Sequence, residues 1–267
     1  KVPKNQNLLL YMIHIEHILN MNLIQIVVKE FKDTLERPQR LGKLFDYSSL
    51  KKWLRFQEIR VIARNDWKNT GNISQRNVPS YDQYIKLQKS KLEYLDLSSH
   101  EKKFRTSLRQ RLSELHSQDY IKPSNRTALC LGARLGAEVA AFRDLGYFAV
   151  GVDLNPGNNN PYVMYGDFHK LEFSDNSVDV IYSNSLDHCY ELKLILSEIK
   201  RLLKNDGYLI IEADPGSNEG ISPDLWATMS YETVDSLKTE IETSGLILVQ
   251  ALPFEYPRNG TQLVFTR

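Results

Sequence analysis

Cysteine is scarce in these 267 residues: only Cys130 and Cys189 occur, and both fall in strand-like runs. Two thiols so placed exclude a disulfide framework, and a reducing, cytoplasmic location is the expectation. They also lack the nearby histidines that a structural zinc site needs. An unbroken apolar run long enough to cross a bilayer is missing as well. The longest apolar stretch, Leu8 to Phe31, is interrupted by His14, Glu16, His17, Asn20, Asn22 and Gln25. Those groups are costly in hydrocarbon, so the stretch reads as one or two amphipathic segments, and no transmembrane segment is expected. No internal repeat is visible, and the only low-complexity run is Asn158 to Asn160. The chain opens on Lys1 rather than methionine and reads as part of a larger multidomain chain.

The composition is that of a globular protein, 42% hydrophobic and 25% charged. The net charge of +1 hides an asymmetry. Residues 1–126 hold 24 Lys and Arg against 13 Asp and Glu, and residues 127–267 hold 10 against 20. A basic segment beside an acidic domain is the plain reading, because the charges are dispersed. A surface for a phosphate-bearing substrate, nucleic acid or anionic membrane is the functional one.

The pattern divides the chain in three. Residues 1–79 read as a helical segment or linker. Leu50, Trp53, Leu54, Ile59, Val61 and Ile62 form a buried stripe, and Asn69 to Ser80 is loop-like, with Gly71 and Pro79. Residues 80–126 read as a helical cap. Tyr81, Tyr84, Ile85 and Leu92 recur at helical spacing. Ser98 and Glu101 then make a capping box ahead of Phe104, Leu108, Leu112 and Leu115. These helices are expected to cover the mouth or edge of the domain that begins at Thr127.

From Thr127 strands and helices alternate. Strands are predicted over residues 127–131, 148–152, 162–165, 178–183, 208–211, 246–250 and 262–265, and helices over 138–145, 192–204 and 234–244. Gly146 stands where a helix commonly ends. This predicts an α/β domain over 127–267, a mostly parallel seven-stranded sheet with helices on both faces. Ligands of such sheets bind beyond the carboxyl ends of the strands.

After the first strand comes a glycine loop, Gly132-Ala133-Arg134-Leu135-Gly136. Such a loop alone is a weak signal. Gly151-Val152-Asp153 adds a carboxylate at the end of the second strand, able to accept both hydroxyls of a ribose. A nicotinamide site wants a tighter Gly-x-Gly-x-x-Gly than this loop supplies.

These residues resemble the class I S-adenosylmethionine-dependent methyltransferases, whose fold is Rossmann-like. Gly166-Asp167-Phe168 resembles the family's segment after the third strand, and Phe173 to Ile181 its run into the fourth. Ile199 to Gly207 resembles its helix and turn before the fifth. The resemblance covers roughly residues 127–215. It implies S-adenosyl-L-methionine as cofactor, with Asp167 facing the adenine amino group. Gly132, Ala133, Arg134, Gly136, Asp153, Leu154, Gly166, Asp167, Phe168, Asn184 and Ser185 are the implied cofactor-binding residues. Two positions depart from the family. Cys130 replaces an acidic residue, and Arg134 replaces the middle glycine of the loop. The loop can still donate backbone amides, and the arginine can reach the methionyl carboxylate.

Methyl transfer to a hydroxyl calls for positioning and a base, or a metal. Past the fourth strand stand Asp187 and His188, and past the fifth Asp214. These three are the candidate catalytic residues. Asp187 and Asp214 are also the candidate ligands if a divalent cation is used. Asp214 reads equally as the cap of a turn ahead of Pro215, and His188 as a residue that only packs beside the cofactor. His169 reads as an exposed loop residue. Tyr81, Tyr84, Trp226 and Tyr231 read as core, or as the wall of an acceptor pocket.

The run from Ser80 to Tyr84, with the loops at Gly132 to Gly136 and Asp153 to Gly157, is similar to methyltransferases found beside glycosyltransferases in polysaccharide pathways. This implies O-methylation of a sugar, glycan or other polar small molecule. RNA methylation through the basic part is the alternative. Asn184 is followed by Ser185-Leu186-Asp187 rather than Pro-Pro-aromatic, which disfavours base-amine methylation. A non-catalytic scaffold of the same fold is the third reading, and Asp153 and Asp167 argue against it.

Overall fold

The computed structural model describes residues 47–64, 66–95, 98–121 and 126–267. The apolar stretch from Leu8 to Phe31 lies outside the described residues. The chain divides into two compact units, Lys1–Asn65 and Asp66–Arg267. The first contains helix α1 (Tyr47–Ala63), in which Ile59 and Ile62 are buried.

The second unit is built on seven strands: β3 (Thr127–Leu131), β4 (Phe148–Asp153), β5 (Val163–Tyr165), β6 (Val178–Ser183), β7 (Leu203–Ala213), β9 (Ile247–Phe254) and β10 (Gly260–Thr266). Their order is β5-β4-β3-β6-β7-β10-β9. The first five run parallel, β10 lies antiparallel to β7, and β9, antiparallel to β10, runs in the direction of the first five again. The mostly parallel seven-stranded sheet predicted for 127–267 is therefore present.

Side-chain alternation explains the layers. Leu129, Leu131, Ile181, Leu209, Ile211, Leu263 and Phe265 point to one face, where α5 (Leu192–Leu202) and α6 (Val234–Thr243) bury Ile195, Ile199, Leu237 and Ile241. Their neighbours Ala128, Cys130, Val180, Tyr182, Ile210 and Val264 point to the other. There α3 (Ser98–Ser117) contributes Phe104, Leu108, Leu112 and Leu115, and α4 (Ala137–Asp144) contributes Val139, Ala141 and Phe142. Strands buried on both faces are apolar at almost every position, which is why β6 has no exposed residue. Each large side chain so covered contributes about 1.5–3 kcal/mol.

Three local expectations change. Residues 69–80, read as loop, contain half of a hairpin: β1 (Trp67–Asn69) pairs with β2 (Ile73–Arg76), which pairs in turn with β8 (Met229–Tyr231). Asn69 and Gly71 form the turn between them, where the Gly71 N–H donates to Asn69 Oδ1 at 2.8 Å. Ser74, Gln75 and Arg76 lack the apolar alternation that marks a strand. The helix predicted to Lys204 ends at Leu202, because β7 begins at Leu203 rather than at Tyr208. Helix α3 begins at Ser98. Ser98 is thus its first helical residue rather than the N-cap of the expected capping box, and burial pushes the Glu101 carboxyl up.

Helix α2 (Tyr81–Tyr94) begins at Ser80, whose Oγ accepts the Gln83 N–H. Its buried residues Tyr84, Leu87, Ser90 and Lys91 lie at helical spacing on one face. That face looks toward the carboxyl ends of the strands.

Candidate active site

The glycine loop starts where β3 ends. Gly132 has φ +70, and its N–H donates to Val152 O at 2.9 Å, closing the loop against β4. Gly136, with φ +93, precedes α4. Between them Arg134 has φ +39, a left-handed backbone that favours the glycine it replaces. Its N–H donates to Asp153 Oδ2 at 3.1 Å, and the Asn155 N–H donates to Oδ1 at 2.7 Å. The carboxylate is thereby fixed at the end of β4, with lone pairs left for hydroxyl groups.

A small cavity of about 30 Å³ adjoins these residues, lined by Gly132, Arg134, Asp153, Leu154, Phe168 and Ser185 together with Tyr84, Gln88 and His188. Two of its walls carry orphaned buried polar atoms. Tyr84 Oη and His188 Nδ1 have no hydrogen-bond partner among the described residues. Buried polar groups without partners are costly in a closed protein, and they fit a site that receives a polar ligand. The donor set therefore suits a nucleoside: Asp153 for ribose hydroxyls, and the apolar Leu154 and Phe168 beside a base.

Asp167 follows β5 but is not free. Both the Tyr81 hydroxyl and the His169 backbone N–H donate to it, the latter at 2.9 Å. His169 Nδ1 lies 2.7 Å from Asp167 Oδ1, and Nε2 accepts the Tyr190 N–H at 3.0 Å. An accepting Nε2 places the ring proton on Nδ1, which donates to Asp167. Burial opposes ionisation of Asp167, but the bonds from His169 and Tyr81 outweigh it and hold the carboxyl below its ordinary range. His169 is thus not the exposed loop residue expected, since only 4% of its side chain is accessible. The backbone N–H groups of the turn at Tyr190 draw the ring inward.

A larger cavity of about 410 Å³ opens beyond the ends of β6 and β7. Gly132, Ala133, Arg134, Asn184 and Ser185 line it on the loop side, and Asp187, His188 and Asp214 face the same space. The candidate catalytic residues are therefore brought together. Gly136, Asp153, Leu154, Gly166, Asp167 and Phe168 are not among its walls.

The three carboxyl and imidazole groups differ in environment. Burial lowers the His188 imidazole to about 4, so it is neutral at ordinary pH. Asp214 pairs with Arg258 at 2.8 Å, yet burial still holds its carboxyl above the ordinary range. Asp187 keeps a side chain that is 38% accessible. Among the described residues no group of three His, Cys, Asp or Glu is arranged to hold a metal ion. Of the four aromatic residues considered for an acceptor wall, Tyr231 lines the larger cavity and Tyr84 the smaller. The Trp226 indole N–H donates to Ser90 Oγ at 3.0 Å.

Several groups of this site went unread in the sequence. Lys91 of α2 lies 2.7 Å from His188 Nε2 and 3.3 Å from Asp224 Oδ2. Burial would raise the Asp224 carboxyl. The charges of His188 and Lys91 and the N–H groups of Trp226 and Ala227 outweigh it and lower it to about 2. Glu212, at the end of β7, takes both Arg111 nitrogens at 2.7 and 2.8 Å, Gln262 Nε2 at 2.9 Å and the Tyr182 hydroxyl at 3.0 Å. Glu138, at the start of α4, is driven up to about 8 by burial. The one sequence signal for Lys91 is its register, seven residues after Tyr84 on the buried face of α2.

Residues 129–211 match the family model described as a methyltransferase domain. No curated protein matches the chain. Among solved structures it is similar to the Burkholderia thailandensis 1,6-didemethyltoxoflavin-N1-methyltransferase, which was solved with 1,6-didemethyltoxoflavin and S-adenosylhomocysteine bound. The identity is 17% and the TM-score 0.56, over 76% of this chain and 99% of that one. It is also similar to a SAM dependent methyltransferase from Archaeoglobus fulgidus, at 18% identity and a TM-score of 0.49, over 63% of this chain and 98% of the other. The fold is the Rossmann-like fold that the Burkholderia thailandensis enzyme also has, and S-adenosylmethionine is the methyl donor that goes with the domain.

Proposed function

We propose that this chain transfers the methyl group of S-adenosylmethionine to a hydroxyl of a sugar, glycan or other polar small molecule. The observation that carries this reading is the 410 Å³ cavity, which joins the glycine loop to a wall of carboxylates, Asp187, Asp214 and Asp224. Carboxylates of that kind accept hydrogen bonds from the several hydroxyls of a sugar. The volume lies within the range of small-molecule sites.

On the donor side Asp153 takes the ribose hydroxyls. Leu154, Gly166, Asp167 and Phe168 flank the adenine. Gly132, Ala133 and Gly136 keep the loop backbone close, and Arg134 meets the methionyl carboxylate. The Arg134 guanidinium has no hydrogen bond to any described residue and lines both cavities, which supports that role. Asn184 and Ser185 border the methyl end. Asp187 and Asp214 hold acceptor hydroxyls on the far side. The sulfonium methyl is already activated, so the protein has only to align it and to receive the proton of the acceptor.

The test is incubation with donor labelled in its methyl group, against monosaccharides, oligosaccharides, small amines and RNA. Label that enters sugars as methyl ethers is the expected result. Label confined to RNA or to amines would overturn the hydroxyl reading. Absence of heat on titration with S-adenosylhomocysteine would overturn donor binding itself.

A further inference from the structure

Lys91 belongs to α2, outside residues 129–211. It lines the 410 Å³ cavity, and its ammonium nitrogen is held between His188 Nε2 at 2.7 Å and Asp224 Oδ2 at 3.3 Å. We infer that Lys91 is the base that removes the proton from the acceptor hydroxyl, with His188 and Asp224 as the groups that position it. The inference rests on the proposed transfer to a hydroxyl acceptor.

The valence of the amine carries the argument. An amine nitrogen has two N–H bonds and one lone pair. The N–H bonds are matched by His188 Nε2 and Asp224 Oδ2, and the lone pair is left for the cavity that the side chain lines. His188 is poorly placed for the same task. Its Nε2 faces Lys91, and its Nδ1 is buried without a partner among the described residues. The step balances. The acceptor O–H proton moves to Lys91 Nζ while the oxygen pair forms the bond to the methyl carbon. The carbon–sulfur bond breaks and its pair stays on sulfur, which discharges the sulfonium. The lysine ammonium then releases its proton to solvent through the open cavity.

Five groups bear on the ionisation of Lys91: His188 and Asp224 in contact, and Asp187, Arg134 and Asp214 through space. Burial, then Arg134, depresses the ammonium, while Asp224 and Asp187 oppose them, and it falls to about 8. The Trp226 ring lies 5.8 Å away and carries no charge. An ordinary lysine, near about 10.4, is only about 0.1% amine at pH ~7.4. At about 8 roughly a fifth is amine, enough to serve as a general base.

The test uses the full chain with 13C-labelled lysine, titrated by NMR. The Lys91 signal is assigned by its loss in Lys91→Met. A midpoint near 8 is expected, moving lower still in Asp224→Asn because that variant removes an anion. A midpoint above about 10, the ordinary lysine range, would overturn the inference whatever the acceptor is. Calorimetry with S-adenosylhomocysteine checks that each variant retains the donor site, with affinity expected within about twofold of wild type.

With a sugar acceptor from the labelling panel, Lys91→Met and Lys91→Arg are both expected to lower kcat by about 100-fold or more. The wild-type rate is expected to rise with pH to a plateau above about 8, and Lys91→Met to lose that limb. Wild-type kcat in Lys91→Arg would make the residue a fixed charge and overturn the assignment. Label on amines alone, with the midpoint still near 8, would sink the hydroxyl reading instead.

Discussion

Asp153 and Lys91 line neighbouring cavities, but they are held in opposite ways. Asp153 ends a strand, and its two oxygens are fixed by the backbone of Arg134 and Asn155, 19 and 2 residues away. Lys91 lies inside a helix, and its partners are 97 and 133 residues away in His188 and Asp224. The same contrast separates the domain at 129–211 from the helices ahead of it. The parallel sheet presents its polar groups at the strand ends, where local loops fix them. The helices present theirs only after α2 and α3 have docked. The proposed donor side is local chemistry and the proposed acceptor side is assembled, so disturbing each should have different consequences.

The largest expected effect lies on the assembled side. Glu212→Ala leaves Arg111 of α3 without its bidentate partner, and the Arg111 side chain is only 13% accessible. Stranding one member of a buried pair costs about 3–5 kcal/mol. Chemical denaturation should show that loss in stability. A loss under about 1 kcal/mol would mean that α3 is held by its leucines alone, and the contrast between local and assembled groups would weaken.

The local side is tested by Asp153→Ala. Hydrogen bonds to a charged group are worth about 1.5–3 kcal/mol each, so binding of S-adenosylhomocysteine should weaken by at least about tenfold. Stability should change less than in Glu212→Ala, because the partners of Asp153 are two backbone amides, Arg134 in the glycine loop that Val152 O already holds and Asn155 two residues on. Unchanged affinity in calorimetry would remove Asp153 from the donor site.

This contrast also explains what could be read from the sequence. All seven strands of the main sheet were legible, because strands covered on both faces are continuous apolar runs between turn residues. The loop at Gly132 and the carboxylate at Asp153 were legible for the same reason, since a strand end fixes their position. The hairpin β1–β2 was not, because Ser74, Gln75 and Arg76 carry no apolar alternation and their pairing partner is the three-residue β8. Lys91 was hidden by its residue type, since a lysine on an amphipathic helix normally reaches solvent. His169 was misread because its partners, Asp167 and the Tyr190 amide, converge only when two loops meet. Burial, rather than spacing, also moves Glu138, Lys91 and His188 away from their ordinary ionisation.

The smallest expected effect falls where the two regions meet. Tyr81 of α2 donates its hydroxyl to Asp167 of the domain, the carboxylate proposed to face the adenine. Tyr81→Phe removes that bond and keeps the ring, which contacts Tyr84, His169 and Tyr190 at 5.1–5.8 Å between centroids. One lone pair of Asp167 is then released while the bonds from His169 remain. If the hydroxyl competes with the adenine amino group, donor binding should tighten by a few-fold, in keeping with about 0.5–1.5 kcal/mol for one hydrogen bond. Calorimetry with S-adenosylhomocysteine measures the sign directly. A weaker affinity would show that Tyr81 orients Asp167 for the donor, and α2 would then be part of the donor site rather than a neighbour that competes for one of its groups.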